Sequence, residues 1–429
     1  MITTIFQFTT YLLALYIIFI SISNPQKGLL LYFSTLTTRL YNFQNFPRLL
    51  SPQTLDLIII IILLYRFSNY INIAEVIKSS KFLLLWVISH IVIRVIQINS
   101  YPDMSFVQTT SDIVGFYLKL YILYLLIIGF LGYVNDFRLL NKALLINLTI
   151  YCGFIYLEYF FGINYNDLYN TVFGAKFSGS NFSQREGLSL VHGPNVHWVS
   201  TATFVVSNFS VIFYHYKTKL NFKGIMIIGI FLFTIFIIGA RSAIICAIIT
   251  SALFFLLDSS NNRRIMNIIF GLIFFLIFLF SPYGQYIYDS LNISSSGGLN
   301  MSRRLIVQLL LFNQIKEVPI IGYGFVGRHD TDLFQFQEWP EINFIFTEIF
   351  DFGILIALIT SVFILVMLSK TISIKYSWCN VASYSWIAII LCFISNGNQE
   401  YNYYLIPVIF YTYAVWFKKG INKKQVVFI

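Results

Sequence analysis

Three arginines stand where a cation is out of place. Arg241 sits alone in Gly239-Ala240-Arg241-Ser242, a link of a few residues between two long apolar runs. Arg185 and His192 precede Gly193-Pro194-Asn195-Val196-His197, just ahead of another apolar run, where Pro suits the first turn of a helix. Arg304 follows Arg303 in a long polar interval and lies 15 residues before Pro319-Ile320-Ile321-Gly322-Tyr323-Gly324-Phe325. A guanidinium is always charged and meets phosphate with two parallel N–H donors, and helix N-termini add free backbone N–H groups. Cations gathered this way point to an anionic lipid-phosphate ligand. Glu341 and Glu348 are seven apart, hence on one helix face, and such acids can assist a hydroxyl as general acid or base. Lys119 lies inside an apolar run, where an ammonium is costly unless paired or facing water. Each feature also has a plainer reading: a capped helix start, a snorkelling Arg or Lys, acids at an interface. The lone Gly322-Tyr323-Gly324 follows no strand, which excludes a dinucleotide site.

The elements that must position these residues are set by composition. The chain is 58% hydrophobic, 19% aromatic and only 11% charged, with a mean hydropathy of +0.75. Soluble domains carry about 25% charged residues, and disordered chains are poor in aromatics, so both classes are excluded. Runs long enough to cross a bilayer predict about twelve transmembrane helices, near 4–21, 53–68, 82–99, 112–132, 142–161, 196–215, 222–239, 241–258, 264–281, 343–369, 378–395 and 402–417. The second is the shortest. The first has no charged leader or cleavage site and reads as an anchor.

With both termini inside, every inner loop carries at least two Lys or Arg, among them Lys78 and Lys81, Arg138 and Lys142, Lys217 and Lys219, and Lys370 and Lys375. The net charge of +10 is thus a matter of sidedness, and no nucleic-acid partner is implied. The expectation is one all-α polytopic domain over 1–429, with outer loops at 162–195 and 282–342, the second containing a surface helix over 301–317. No half-to-half repeat is visible, which argues against an inverted-repeat transporter. Cys152, Cys246, Cys379 and Cys392 sit in apolar runs without pairing motifs and read as core residues. No His, Cys or Asp cluster has metal-ligand spacing: His192 and His197 lack a third neighbour.

Over roughly 180–355 the sequence resembles the O-antigen polymerase and ligase superfamily of envelope glycosyltransferases. Arg185, Gly187, Pro194 and Asn195 match its first motif; Gly239 and Arg241 match its Arg-bearing turn. Arg304, Pro319, Gly322, Gly324 and Phe325 match its large-loop motif. Asn343 and Gly353 match the last, but Ile342 stands where the family has a His.

The resemblance implies a fold of the C-type glycosyltransferase (GT-C) kind in the bacterial inner membrane, with the active site facing the periplasm and no metal or other cofactor. The substrates it implies are undecaprenyl-diphosphate-linked oligosaccharides. A chain-length regulator is a further possible partner. The missing His favours the polymerase branch over the ligase. Arg185, Arg241 and Arg304 would then neutralise the leaving diphosphate, with Glu341 or Glu348 assisting the acceptor hydroxyl. Lys119, His192, Asn195, His197, Tyr323 and Asn343 complete the candidate substrate contacts. The rival readings are a ligase or a capsule or common-antigen polymerase, which differ in acceptor, and a lipid-linked oligosaccharide flippase, which would carry charge through the membrane depth.

Overall fold

The computed structural model describes residues 2–36, 52–101, 106, 109–110, 113–134, 136–165, 184–185, 188–189, 191, 193–194, 201–208, 222–240, 243–250, 312–313, 315–324, 344–372 and 379–395. Among them the chain is helical apart from one antiparallel ladder of two residues on each side. The first helices are α1 (Ile2–Ser23), α2 (Pro25–Thr35), α3 (Pro52–Phe67) and α4 (Ile73–Ser100). A π-helical turn, Ile113–Leu118, runs into α5 (Lys119–Val134), followed by α6 (Phe137–Phe161). The ladder pairs β1 (Gln184–Arg185) with β2 (Leu188–Ser189). Then come α7 (Phe222–Ile238), α8 (Phe344–Phe352), α9 (Ile354–Ile372) and α10 (Cys379–Ser395). The spans expected at 264–281 and 402–417 lie outside the described residues, as do most of 196–215 and of both outer loops.

Four described stretches are long and apolar enough to cross a bilayer: Val76–Ser100, Ile113–Val134, Arg138–Phe161 and Ile354–Thr371. Tyr11–Ser23, Met226–Ile238 and Ser383–Cys392 are shorter apolar helices. The outer surface is apolar as well. Phe8, Leu12, Leu15, Phe19 and Ile22 form an exposed stripe on α1, and Leu355, Leu358, Val362 and Leu365 form another on α9. Water-soluble proteins do not expose such stripes, and lipid is their natural solvent. This is a membrane protein.

Local chemistry explains several boundaries. Asp136 caps α6 by accepting from the Arg138 N–H at 2.9 Å, and Gly162, with φ of 66°, ends it in the left-handed conformation. Asn24 accepts from the Lys27 N–H and Pro25 opens α2, a helix within what the sequence reads as a connecting loop. Gly28 lets α2 fold tightly back on Ser21 of α1. The span expected as one helix over 343–369 is two, α8 and α9, broken at Gly353 with φ of 87°. Hydrophobicity runs through the break, so hydropathy alone does not register it.

Neighbour directions agree with alternating threading. At one end of the α4–α9 pair, Lys81 and Lys370 both sit over the Phe82 ring; midway Trp86 stacks on Phe363; at the other end Gln97 reaches the Asp351 carbonyl. These helices are therefore antiparallel. The same holds for α4 and α5, where Ser79 bonds Tyr124 and His90 stacks on Tyr117. Helices α3 and α5 run parallel, with Asp56 meeting Lys119 and Phe67 meeting Phe130. The core is one cluster whose largest fully buried side chains are Trp86, Trp386, Tyr32, Tyr124, Tyr151 and Phe33.

The break at Gly353 yields a prediction. A Cβ there would run into the Ile320 carbonyl oxygen, and the left-handed φ penalises any side chain. Gly353→Ala should destabilise the protein by at least about 2 kcal/mol. Gly153→Ala, where a Cβ meets nothing within 4 Å in mid-helix, should be neutral or stabilise by about 0.5–1 kcal/mol. Thermal unfolding in detergent compares the two, and equal losses would contradict the docking geometry.

Candidate functional site

The C-terminal half of α4 carries His90, Arg94 and Gln97, and Tyr101 follows directly after it; the spacings of four, three and four put them on one side. That face meets α8 and the segment Pro319–Gly324. The Gln97 amide donates to the carbonyl oxygens of Ile321 at 2.6 Å and Asp351 at 2.7 Å. Tyr101 donates to the Gly322 carbonyl at 2.6 Å, and the Tyr323 N–H donates to the Phe350 carbonyl at 2.7 Å. Gly322 and Gly353, both at positive φ, allow the two backbones to touch: a Cβ on Gly322 would lie 2.6 Å from backbone atoms of Asp351, Phe352 and Gly353. The Pro-x-x-Gly-x-Gly motif is thus fastened to the spans through its backbone.

Beneath it lies a buried polar chain. Trp86 Nε1 donates to Thr360 Oγ1 at 3.0 Å, and Thr360 donates to Glu348 Oε2 at 3.1 Å. His90 Nε2 meets the same Oε2 at 3.2 Å, while His90 Nδ1 lies 2.8 Å from the Trp86 carbonyl. His90 and Glu348 are 0% and 1% exposed. An acid so enclosed offers no exposed face to a sugar hydroxyl, and its Oε1 is buried without a partner.

A second fastening holds the Gly193-Pro194 motif. Glu158, buried near the end of α6, accepts the Gly193 N–H at 2.7 Å and the Asn164 amide at 3.1 Å. Gly193 has φ of 61° and packs against Ile155 and Thr201, so a side chain would crowd both. The helical stretch 201–208 packs on α6 through Tyr151, which bonds Thr201 and stacks near Phe204. Arg185 lies in β1 opposite Leu188. Gly239 ends α7 with φ of 72°, and the next helical stretch begins with the Ile244 N–H donating to the Ala240 carbonyl.

Among the remaining expected site residues, Lys119 pairs with Asp56, whose carboxylate also accepts from the Tyr32 hydroxyl at 2.6 Å. The ammonium is neutralised inside the bundle, where no outward reach is needed. Tyr323 stacks on Phe350 and donates from its hydroxyl to the Glu317 carbonyl. Burial, reinforced by Glu317, pushes its phenol above the ordinary value, so it remains a donor. Arg241, Arg304, Glu341, His192, Asn195, His197 and Asn343 lie outside the described residues. Of the expected surface helix over 301–317, residues 312–313 are helical and Ile315–Glu317 form a 3-10 turn. Among the described residues, no three His, Cys, Asp or Glu side chains converge as a metal site.

Sequence reasoning passed over His90, Arg94, Gln97, Asp56 and Glu158. The first three were findable: polar residues at helical spacing inside an apolar span must face protein, not lipid. Compared with family models and with curated proteins, the chain matches none.

The Lys119–Asp56 pair separates structure from substrate binding. Lys119→Met alone leaves a carboxylate unpaired and should cost about 3 kcal/mol, whereas Lys119→Met with Asp56→Asn should recover most of it. If Lys119 holds substrate instead, the double variant will be as inactive as the single one, whatever its stability.

Proposed function

We propose that the protein is a polysaccharide polymerase that joins undecaprenyl-diphosphate-linked repeat units at the periplasmic face of the inner membrane. In this reading an acceptor sugar hydroxyl attacks the anomeric carbon of the donor glycan. The bond from that carbon to the diphosphate oxygen breaks, and undecaprenyl diphosphate leaves with the electron pair. The hydroxyl proton passes to a base, for which Glu341 is the remaining acidic candidate. Charge grows on the diphosphate as the bond breaks, and fixed cations lower that barrier. Arg185, Arg241 and Arg304 take this role.

One observation carries the proposal beyond motif order. Both Gly-bearing motifs described, Gly193-Pro194 and Pro319–Gly324, have backbones captured by polar side chains: Glu158 of α6 for the first, Gln97 of α4 and the adjoining Tyr101 for the second. A donor held at a fixed distance from its cations needs such anchored loops. Among the described residues, Asp56–Lys119 and His90–Glu348 pair locally rather than forming a line of charge along a passage, which favours the polymerase over a flippase.

Two measurements test this. Cysteines introduced at Ser259 and Ser295 should label oppositely with an impermeant thiol reagent, Ser295→Cys from outside only. Repeat-unit polymerisation in a strain lacking the native protein should fall about 10²–10³-fold for Arg185→Gln, Arg241→Gln and Arg304→Gln at matched abundance. Lys should restore only part of it. On the helix expected over 301–317 Arg303 would point about 100° away from Arg304, so Arg303→Gln should be milder. Near-normal chains from the Arg241 and Arg304 variants would remove the diphosphate role.

A further inference from the structure

Proton bookkeeping around His90 leaves one charge unaccounted for. The Trp86 carbonyl oxygen carries no proton, so His90 Nδ1 beside it must donate. One proton must then lie between His90 Nε2 and Glu348 Oε2, because two facing lone pairs at 3.2 Å would repel. Whichever atom holds it, the pair is neutral as a unit. Glu348 Oε2 is engaged by His90 and Thr360, while its Oε1 is buried with no partner.

Arg94 lies one turn further along α4 and is 6% exposed. Its Nη1 donates to Gln97 Oε1 at 3.1 Å, its guanidinium lies 4.3 Å from the Phe352 ring centre, and its Nε is buried with no acceptor. Gln97 is neutral and its amide is occupied by the two carbonyls of Ile321 and Asp351. Among the described residues, the ion pairs are His90–Glu348 and Lys119–Asp56, and neither includes Arg94. A guanidinium cannot shed its proton to escape burial. A full positive charge in a transmembrane helix, with no carboxylate paired to it among the described residues, calls for an anion from elsewhere.

Position and shape say which anion. Arg94 is six residues from the end of α4, about 9 Å at helical rise, on the end opposite Lys81 and Lys370. Such a depth is reached by the phosphate of a lipid rather than by a large soluble solute. The flat fork of Arg fits two phosphate oxygens. The Pro319–Gly324 backbone, fastened beside it by Gln97 and Tyr101, bounds the site.

We propose that Arg94 holds a phosphate of a polyprenyl diphosphate, as a further cation for the lipid-linked substrate in addition to the three arginines of the motifs. The inference rests on the lipid-diphosphate substrate of the polymerase reading, and its test is chosen to fail separately from that reading.

The protein would be purified into nanodiscs of zwitterionic lipid, with farnesyl diphosphate as the probe, and both calorimetric affinity and thermal unfolding would be measured. Arg94→Met removes an uncompensated charge while keeping the stem. It should unfold at the same or a higher temperature without probe, and bind farnesyl diphosphate at least about tenfold more weakly. Arg94→Lys should fold and show intermediate affinity. If phosphatidylglycerol in the nanodisc abolishes probe binding to the wild type but not the residual binding of Arg94→Met, the phosphate comes from bulk lipid and the polyprenyl diphosphate assignment is overturned. A Met variant that is destabilised yet binds normally would make Arg94 structural and overturn the proposal. A Met variant that folds and binds normally would overturn it too. Should the Met variant not fold, unchanged affinity of the Lys variant overturns it equally. Polymerisation plays no part in this readout. Loss of the three-arginine effect with Arg94-dependent binding intact would sink the polymerase and spare this site, and the reverse pattern would do the opposite.

Discussion

A polar group on a transmembrane helix has no water to fall back on, so each one must find a partner on another part of the chain or remain costly. In this protein that requirement selects the long-range contacts. Glu348 finds His90, 258 residues earlier; Glu158 finds the Gly193 N–H; Asp56 finds Lys119 and Tyr32. Apolar packing is tolerant of which helix lies beside which, because lipid and Leu are equivalent neighbours. The polar contacts are not tolerant. They decide that α4 lies against α8 and α9, and that α3 lies against α5.

The same contacts carry order outward from the spans to the loops. Gln97 and Tyr101 are one and two turns beyond Arg94 on the α4 face, and both end on backbone carbonyls of the Pro319–Gly324 segment or α8. Gly322 and Gly353 remove the side chains that would keep those backbones apart. Replacing either glycine would therefore disturb a polar anchor and not merely a turn. A segment separated by more than 200 residues from α4 is thereby held beside it by two side-chain anchors.

How much of this was legible follows the same physics. Long apolar runs revealed the helices at 82–99, 112–132 and 142–161 within a few residues at most boundaries, because lipid exposure demands uniform hydropathy. The extra length of α4, which begins at Ile73, and the helix α2 were not visible, since their first turns are polar enough to read as loop. The break at Gly353 was hidden inside an unbroken apolar stretch. Glu348 was found as a residue but not as a buried partner of His90, for pairing across 258 positions leaves no local spacing. Arg94 was the opposite case: its face was written in the sequence, at four and three residues from His90 and Gln97, and outer-loop motifs drew attention away from it.

Fastened loops and buried cations belong to one requirement. A cation stabilises developing charge well only if it is in place beforehand, since reorienting it during the reaction costs what its field returns. A flexible outer loop would spread Arg positions over many conformers, each with a fraction of the effect. The two glycine-bearing segments narrow that spread by giving up side-chain volume and backbone freedom at Gly193, Gly322 and Gly353, where positive φ is already destabilising for any other residue. Stability given up at these positions is returned by Glu158, Gln97 and Tyr101, which satisfy the exposed backbone groups from below. The arrangement ties the described parts of both segments to the spans through their backbones. It also explains why the anchoring side chains sit on spans, whose positions the bilayer and the buried pairs have already fixed.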